Sequence, residues 1–167
     1  MSVDGALPSL ATSRGEGDRM GELLVCVDFS DSTDRVVDAA AALARSTGLT
    51  ARVVHIAAAE AELAGYDKEA FESSTPDARA GQLRSEHDIL SDLTERIRAA
   101  GATAGEPALV MGRTAEEILR RADEGGAELI VVGSHGHGGL HHLLVGSTTD
   151  AVLRRARVPV VVVPARP

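Results

Sequence analysis

The stretch Ala127-Glu128-Leu129-Ile130-Val131-Val132-Gly133-Ser134-His135-Gly136-His137-Gly138-Gly139, taken up again at Gly146-Ser147, decides how this chain is read. An apolar run over 127–132 predicts a strand, and Ser147 opens a predicted helix. Between them the glycines fall at 133, 136 and 146, in the pattern Gly, two residues, Gly, nine residues, Gly-Ser. Glycine lets a chain turn sharply and bring its N–H groups close to a ligand. The start of a helix adds unpaired N–H donors and a partial positive charge, a combination suited to phosphate. The segment reads as a nucleotide-phosphate cradle, set against the plainer reading of a glycine-rich βα turn that binds nothing.

Two other phosphate loops are excluded. A Walker A loop needs Gly-Lys-Ser/Thr, and the single lysine, Lys68, sits far away in an acidic segment. The dinucleotide fingerprint belongs to the first strand–helix turn of its unit, whereas these glycines follow a late strand and are out of register.

Apolar strands alternate with longer helical patterns along the chain, the mark of an α/β parallel sheet. Strands are predicted over Leu23–Asp28, Ala51–Ala57, Glu106–Met111, Ala127–Val132 and Val158–Val163. The first helix is expected to be capped near Ser30–Ser32, to bury Val36, Val37, Ala40, Leu43 and Ala44, and to end at Gly48. A second covers about 80–100 with Leu83, Leu90, Leu93 and Ile97 inward. Thr114 with Glu117 reads as a capping box for the third, which Gly125-Gly126 end; Ser147 and Asp150 repeat that signature on the fourth. Residues 58–79 are acidic and read as a solvated loop, with a lid or partner surface as the functional alternative.

The glycine pattern and the segment GSHGHGGLHHLLVGSTTDAVLRRARVPVVVVP over Gly133–Pro164 resemble the universal stress protein family. Leu23–Ser32, Val53-Val54-His55-Ile56 and Gly112–Ile118 are similar to its first strand, second strand and a later helix start, so the resemblance spans about 20–164. It implies a single doubly wound open parallel sheet of five strands in the order 3-2-1-4-5 with helices on both faces. It also implies binding of ATP, with ADP or AMP as alternatives and Mg²⁺ arriving with the nucleotide. Strands one and four would be neighbours where the order reverses, which is where such sheets take ligands.

On that basis Asp28 is expected to accept hydrogen bonds from a ribose hydroxyl, or else to cap the following turn. Ile56 matches the family position whose backbone meets adenine, with Val27 and Val132 as apolar neighbours. Gly133, His135, Gly136, His137, Gly146, Ser147 and Thr148 complete the expected nucleotide site. The family often carries Arg or Lys near 137 and 141–142, where this chain has His137, His141 and His142. Imidazole offers a triphosphate more when protonated, so binding is expected to strengthen as pH falls through the histidine range. The competing reading of the four loop histidines, a zinc or nickel site, finds no cysteine in support. Arg113 or Arg154 is within conceivable reach of the phosphates, and no catalytic residue is assigned beyond slow ATP hydrolysis.

Composition bounds the rest. A chain of 167 residues with 44% apolar residues and a net charge of −8 makes one domain with an aliphatic core. The acidic balance argues against a nucleic-acid or anionic-membrane binder. One cysteine, Cys26, fits a buried, inert thiol in a reducing cytoplasm. No apolar run approaches the ~20 residues that span a bilayer. Residues 1–20 lack the apolar centre of a secretory signal and read as a disordered tail, before a nucleotide-binding domain over 21–165. The last strand, Val158–Val163, would be an apolar edge, and the resemblance implies homodimer pairing there.

Overall fold

The structure is a computed structural model and describes residues 21–57, 76–134 and 146–165. The expected tail over 1–20, most of the acidic segment and residues 135–145 lie outside them.

Five strands form one parallel sheet: β1 (Glu22–Val27), β2 (Thr50–Ala57), β3 (Ala108–Met111), β4 (Ala127–Gly133) and β5 (Val160–Val163). Their order is β3-β2-β1-β4-β5, as the resemblance implied. The described helices are α1 (Thr33–Thr47), α2 (Pro76–Ala99), α3 (Thr114–Gly125) and α4 (Ser147–Arg155). Because side chains alternate along a strand, the sheet divides the core in two. Leu23, Val25 and Val27 of β1 join Val36, Val37 and Ala40 of α1 and Leu90, Leu93 and Ile97 of α2 on one face. Leu24 joins Val54 and Ile56 of β2, Ile130 and Val132 of β4, Ile118 of α3 and Val152 of α4 on the other.

Several boundaries differ from expectation for local reasons. Helix α2 starts at Pro76, where a missing N–H costs nothing and the fixed φ suits a first turn. Strand β3 begins only at Ala108, because Pro107 cannot donate to the ladder. Pro159 likewise stays outside β5, though its carbonyl accepts from the Ile130 N–H at 3.1 Å.

The capping expectations fail by one residue. Arg113 is the N-cap of α3, so Thr114 is already helical, and Glu117 is engaged by Arg120 instead. Gly146 is the N-cap of α4 with extended dihedrals, and Asp150 pairs with Arg154 at 2.9 Å. A hydroxyl at the first helical position cannot reach the N–H groups that a cap serves. At the other ends Gly48 and Gly126 take left-handed φ of 73° and 68°, as predicted for helix stops.

Candidate functional site

The carboxyl ends of β1 and β4 stand side by side where the strand order reverses. Each delivers one half of the predicted site. At β1, Val27 is buried and Asp28 follows it, half-buried, with its Oδ1 accepting from the Ser30 N–H at 3.1 Å. That bond makes a tight turn before the helix rather than a cap on it: Ser32 occupies the N-cap position and makes no side-chain capping bond.

At β4, two hydrogen bonds draw the ends of the glycine motif together, and a third ties Ser134 to β5. The Gly146 N–H donates to the Ser134 carbonyl at 2.7 Å, and the Ser134 N–H donates to Val163 at 2.8 Å. The Thr149 hydroxyl donates to the Gly133 carbonyl at 2.8 Å. Ser134 is buried, and its Oγ accepts from the Ala165 N–H at 3.0 Å, tying in the chain beyond β5. Gly133 and Gly146, thirteen positions apart in the chain, are therefore brought together beside the start of α4. Ser147 is exposed there and Thr148 is half-buried.

Ile56 and Val132 are buried on the sheet face that carries α3 and α4, while Val27 faces the opposite layer. His135, Gly136 and His137, and with them His141 and His142, lie outside the described residues. Among the described residues no cluster of three or more His, Cys, Asp or Glu is placed to hold a metal ion.

The two arginines considered for the phosphates are each paired with a carboxylate on their own helix or its cap. Arg154 lies seven residues into α4 from Ser147, roughly 10 Å along the axis from the helix start. It is held by Asp150, whose carboxylate raises the guanidinium pKa. Arg113, beside the β3 terminus, is exposed and meets Glu116 at 3.5 Å. Cys26 is half-buried, and burial pushes its thiol up to about 12, in keeping with an unreactive group.

Three features at this end of the sheet escaped sequence reasoning. Phe29 has a φ of 59°, and among the described residues no other non-glycine residue has a positive φ. For a residue with a Cβ this region costs about 1–2 kcal/mol. The Phe29 ring lies against the His55 imidazole, with centroids 4.2 Å apart and 33° between planes. His55 Nδ1 in turn donates to the Val27 carbonyl at 2.8 Å, and since a carbonyl only accepts, that bond assigns the proton to Nδ1. Thr149 is the third, only 6% exposed although it opens a helix. Its signal was the polar run Ser-Thr-Thr-Asp after Gly146, in which one β-branched residue had to face inward.

Comparison with known proteins identifies the family and bears out the fold. The model of the universal stress protein family matches residues 20–164. Universal stress protein YxiE of Bacillus subtilis is 32% identical over 153 residues, covering 85% of this chain and 97% of its own. Among solved structures, a universal stress protein in complex with cAMP is 27% identical, with a TM-score of 0.62 over 88% of this chain and 98% of that one. The universal stress protein from Archaeoglobus fulgidus in complex with dAMP is 25% identical, with a TM-score of 0.61 over 86% and 96%.

Proposed function

The chain belongs to the universal stress protein family, and from there we propose that it is an ATP-binding regulatory module whose nucleotide occupancy alters its contacts with partner proteins in the cytoplasm. The observation that carries the reading is the closure of the glycine motif. Gly133 and Gly146 are held together by the Ser134–Gly146 and Thr149–Gly133 bonds at the reversal of strand order, next to Asp28. Similar structures in complex with cAMP and dAMP support an adenine nucleotide there.

Asp28 accepts a ribose hydroxyl; Val27, Ile56 and Val132 line the base. Gly133, His135, Gly136, His137, Gly146, Ser147 and Thr148 surround the phosphates, with Mg²⁺ entering on the nucleotide. ADP and AMP share the adenosine contacts. Hydrolysis is at most slow, and no catalytic residue is assigned. A second reading rests on the β5 edge: a homodimeric interaction module whose cradle stays empty.

Titration calorimetry with Mg-ATP at pH 6 and pH 8, on the wild type and on a Gly136→Glu, Gly146→Glu double variant, separates the two. Saturable binding that is tighter at pH 6 and lost in the folded variant is expected. No binding by the wild type at either pH leaves the dimeric module. Equal affinity at the two values removes the histidines from phosphate recognition.

A further inference from the structure

We propose that Phe29 and His55 form an aromatic clamp that positions the Asp28 carboxylate and so sets how strongly the site distinguishes ribose hydroxyls; this rests on the nucleotide reading above. Both chain neighbours of Asp28 are tied to one imidazole. Val27 is held through its carbonyl, which accepts from His55 Nδ1 at 2.8 Å, and Phe29 through its ring, 4.2 Å from the imidazole centroid. His55 stands in register with Val27 across the β1–β2 pair, so the attachment is built into the sheet.

The strain at Phe29 fits the same arrangement. A left-handed aromatic residue persists only where its surroundings hold it. Here the ring is packed against the buried cluster of the α1–α2 face as well as against His55. The reversal at Phe29 lets the Ser30 N–H turn back onto Asp28 Oδ1 at 3.1 Å. One carboxylate oxygen is thereby occupied within the protein, and among the described residues Oδ2 makes no hydrogen bond, which leaves it for a ligand hydroxyl. His55 also precedes Ile56, so a single side chain fixes the ribose acceptor relative to the strand expected to meet the base.

An acceptor held in place discriminates between ligands that present a hydroxyl and ligands that do not; a mobile one does so weakly. Loss of the clamp therefore falls on ribose recognition and spares the phosphate contacts at β4 and α4. Phe29 and His55 act through Asp28 and are positioning residues.

The test is calorimetric titration of the full chain with Mg-ATP and Mg-2′,3′-dideoxyATP. The wild type is expected to prefer ATP by about tenfold, the equivalent of one good hydrogen bond. Phe29→Gly adopts the positive φ without steric cost and removes the ring; His55→Phe keeps a ring and removes the Nδ1 donor. Each should bring the ATP preference down at least about fivefold, with dideoxyATP affinity unchanged within about twofold. Phe29→Tyr, which keeps the ring, should retain the wild-type ratio.

An unchanged ratio in folded Phe29→Gly and His55→Phe overturns the clamp while leaving nucleotide binding intact. Absence of binding by the wild type overturns the nucleotide reading and the clamp with it. Should neither variant fold, the wild-type His55 ring signals decide by NMR. They shift with ATP more than with dideoxyATP if the clamp is coupled to ribose recognition, and equal shifts overturn it.

Discussion

Replacing Thr149 by valine removes one hydroxyl and leaves the side-chain shape nearly unchanged. That hydroxyl donates to the Gly133 carbonyl at 2.8 Å from a position only 6% exposed. A net hydrogen bond is worth about 0.5–1.5 kcal/mol, and a buried group deprived of its partner costs about 1–3 kcal/mol. Valine and threonine have similar helix propensities, so little else changes at the first turn of α4. We expect a loss of about 1–2 kcal/mol in urea unfolding followed by circular dichroism. At about 2–4 °C per kcal/mol for a domain of this size, the melting temperature should fall by roughly 3–6 °C. Because the same bond joins β4 to α4 across the cradle, Mg-ATP affinity should drop several-fold as well, to be read by calorimetry. Thr149→Ser supplies the control: it keeps the donor, gives up a methyl worth ~0.8 kcal/mol, and should bind ATP as the wild type does. A valine variant as stable as the wild type, with unchanged affinity, would refute the claim that this bond holds the cradle shut.

Cys26 offers a pH-dependent test. With its pKa pushed up to about 12, the thiolate fraction at pH 8 is about 10⁻⁴, so alkylation of the native protein should be limited by unfolding and accelerate sharply in urea. The raised value also means that the contribution of the neutral thiol to stability is complete below its ordinary pKa of 9.0 and is lost as pH climbs from there toward about 12; thermal melts from pH 8 to 11 measure it. Gly126→Ala places a Cβ in open space but at φ 68°, so it should destabilise α3 by about 1 kcal/mol through backbone conformation alone, seen as a shifted urea midpoint with an unchanged slope. At the sheet edge, Pro159 and Val163 bond toward β4, so the alternation directs the peptide groups of Val160 and Val162 outward. If the proposed homodimer pairs at this edge, light scattering at micromolar concentration should report a dimer for the wild type and a monomer for Val162→Pro, which removes one outward N–H; a monomeric wild type, or an equally stable variant dimer, would refute pairing there.

Much of the fold was legible because the relevant signals are local. Apolar runs located all five strands, and Gly48 and Gly126 marked helix ends that only left-handed residues can make. What local pattern missed depended on one-residue offsets and on tertiary contact. Thr114 and Ser147 have the right composition for caps, but the extended residues Arg113 and Gly146 are the N-caps, so each helix starts one position sooner. The strand order came from family resemblance, since chain order alone does not say that β4 lies beside β1. Phe29 could not be anticipated, because nothing in the run Val27-Asp28-Phe29-Ser30 favours a left-handed aromatic residue. Its conformation is stabilised by an imidazole that comes from β2. Thr149 was passed over in favour of Ser147 and Thr148, the hydroxyls nearer the glycine; burial selected the third member of the run.

The Ser134–Gly146 bond has a bearing on how such proteins diversify. Eleven residues separate its partners in the chain. Once two ends are clasped, a domain registers little of the length between them, because doubling a closed loop costs only about 0.6 kcal/mol. The clasp thus insulates folding from ligand chemistry. If the cradle binds nucleotide as proposed, substitution, lengthening or grafting between residues 135 and 145 should retune which phosphate-bearing molecule is accepted while the sheet beneath keeps its stability.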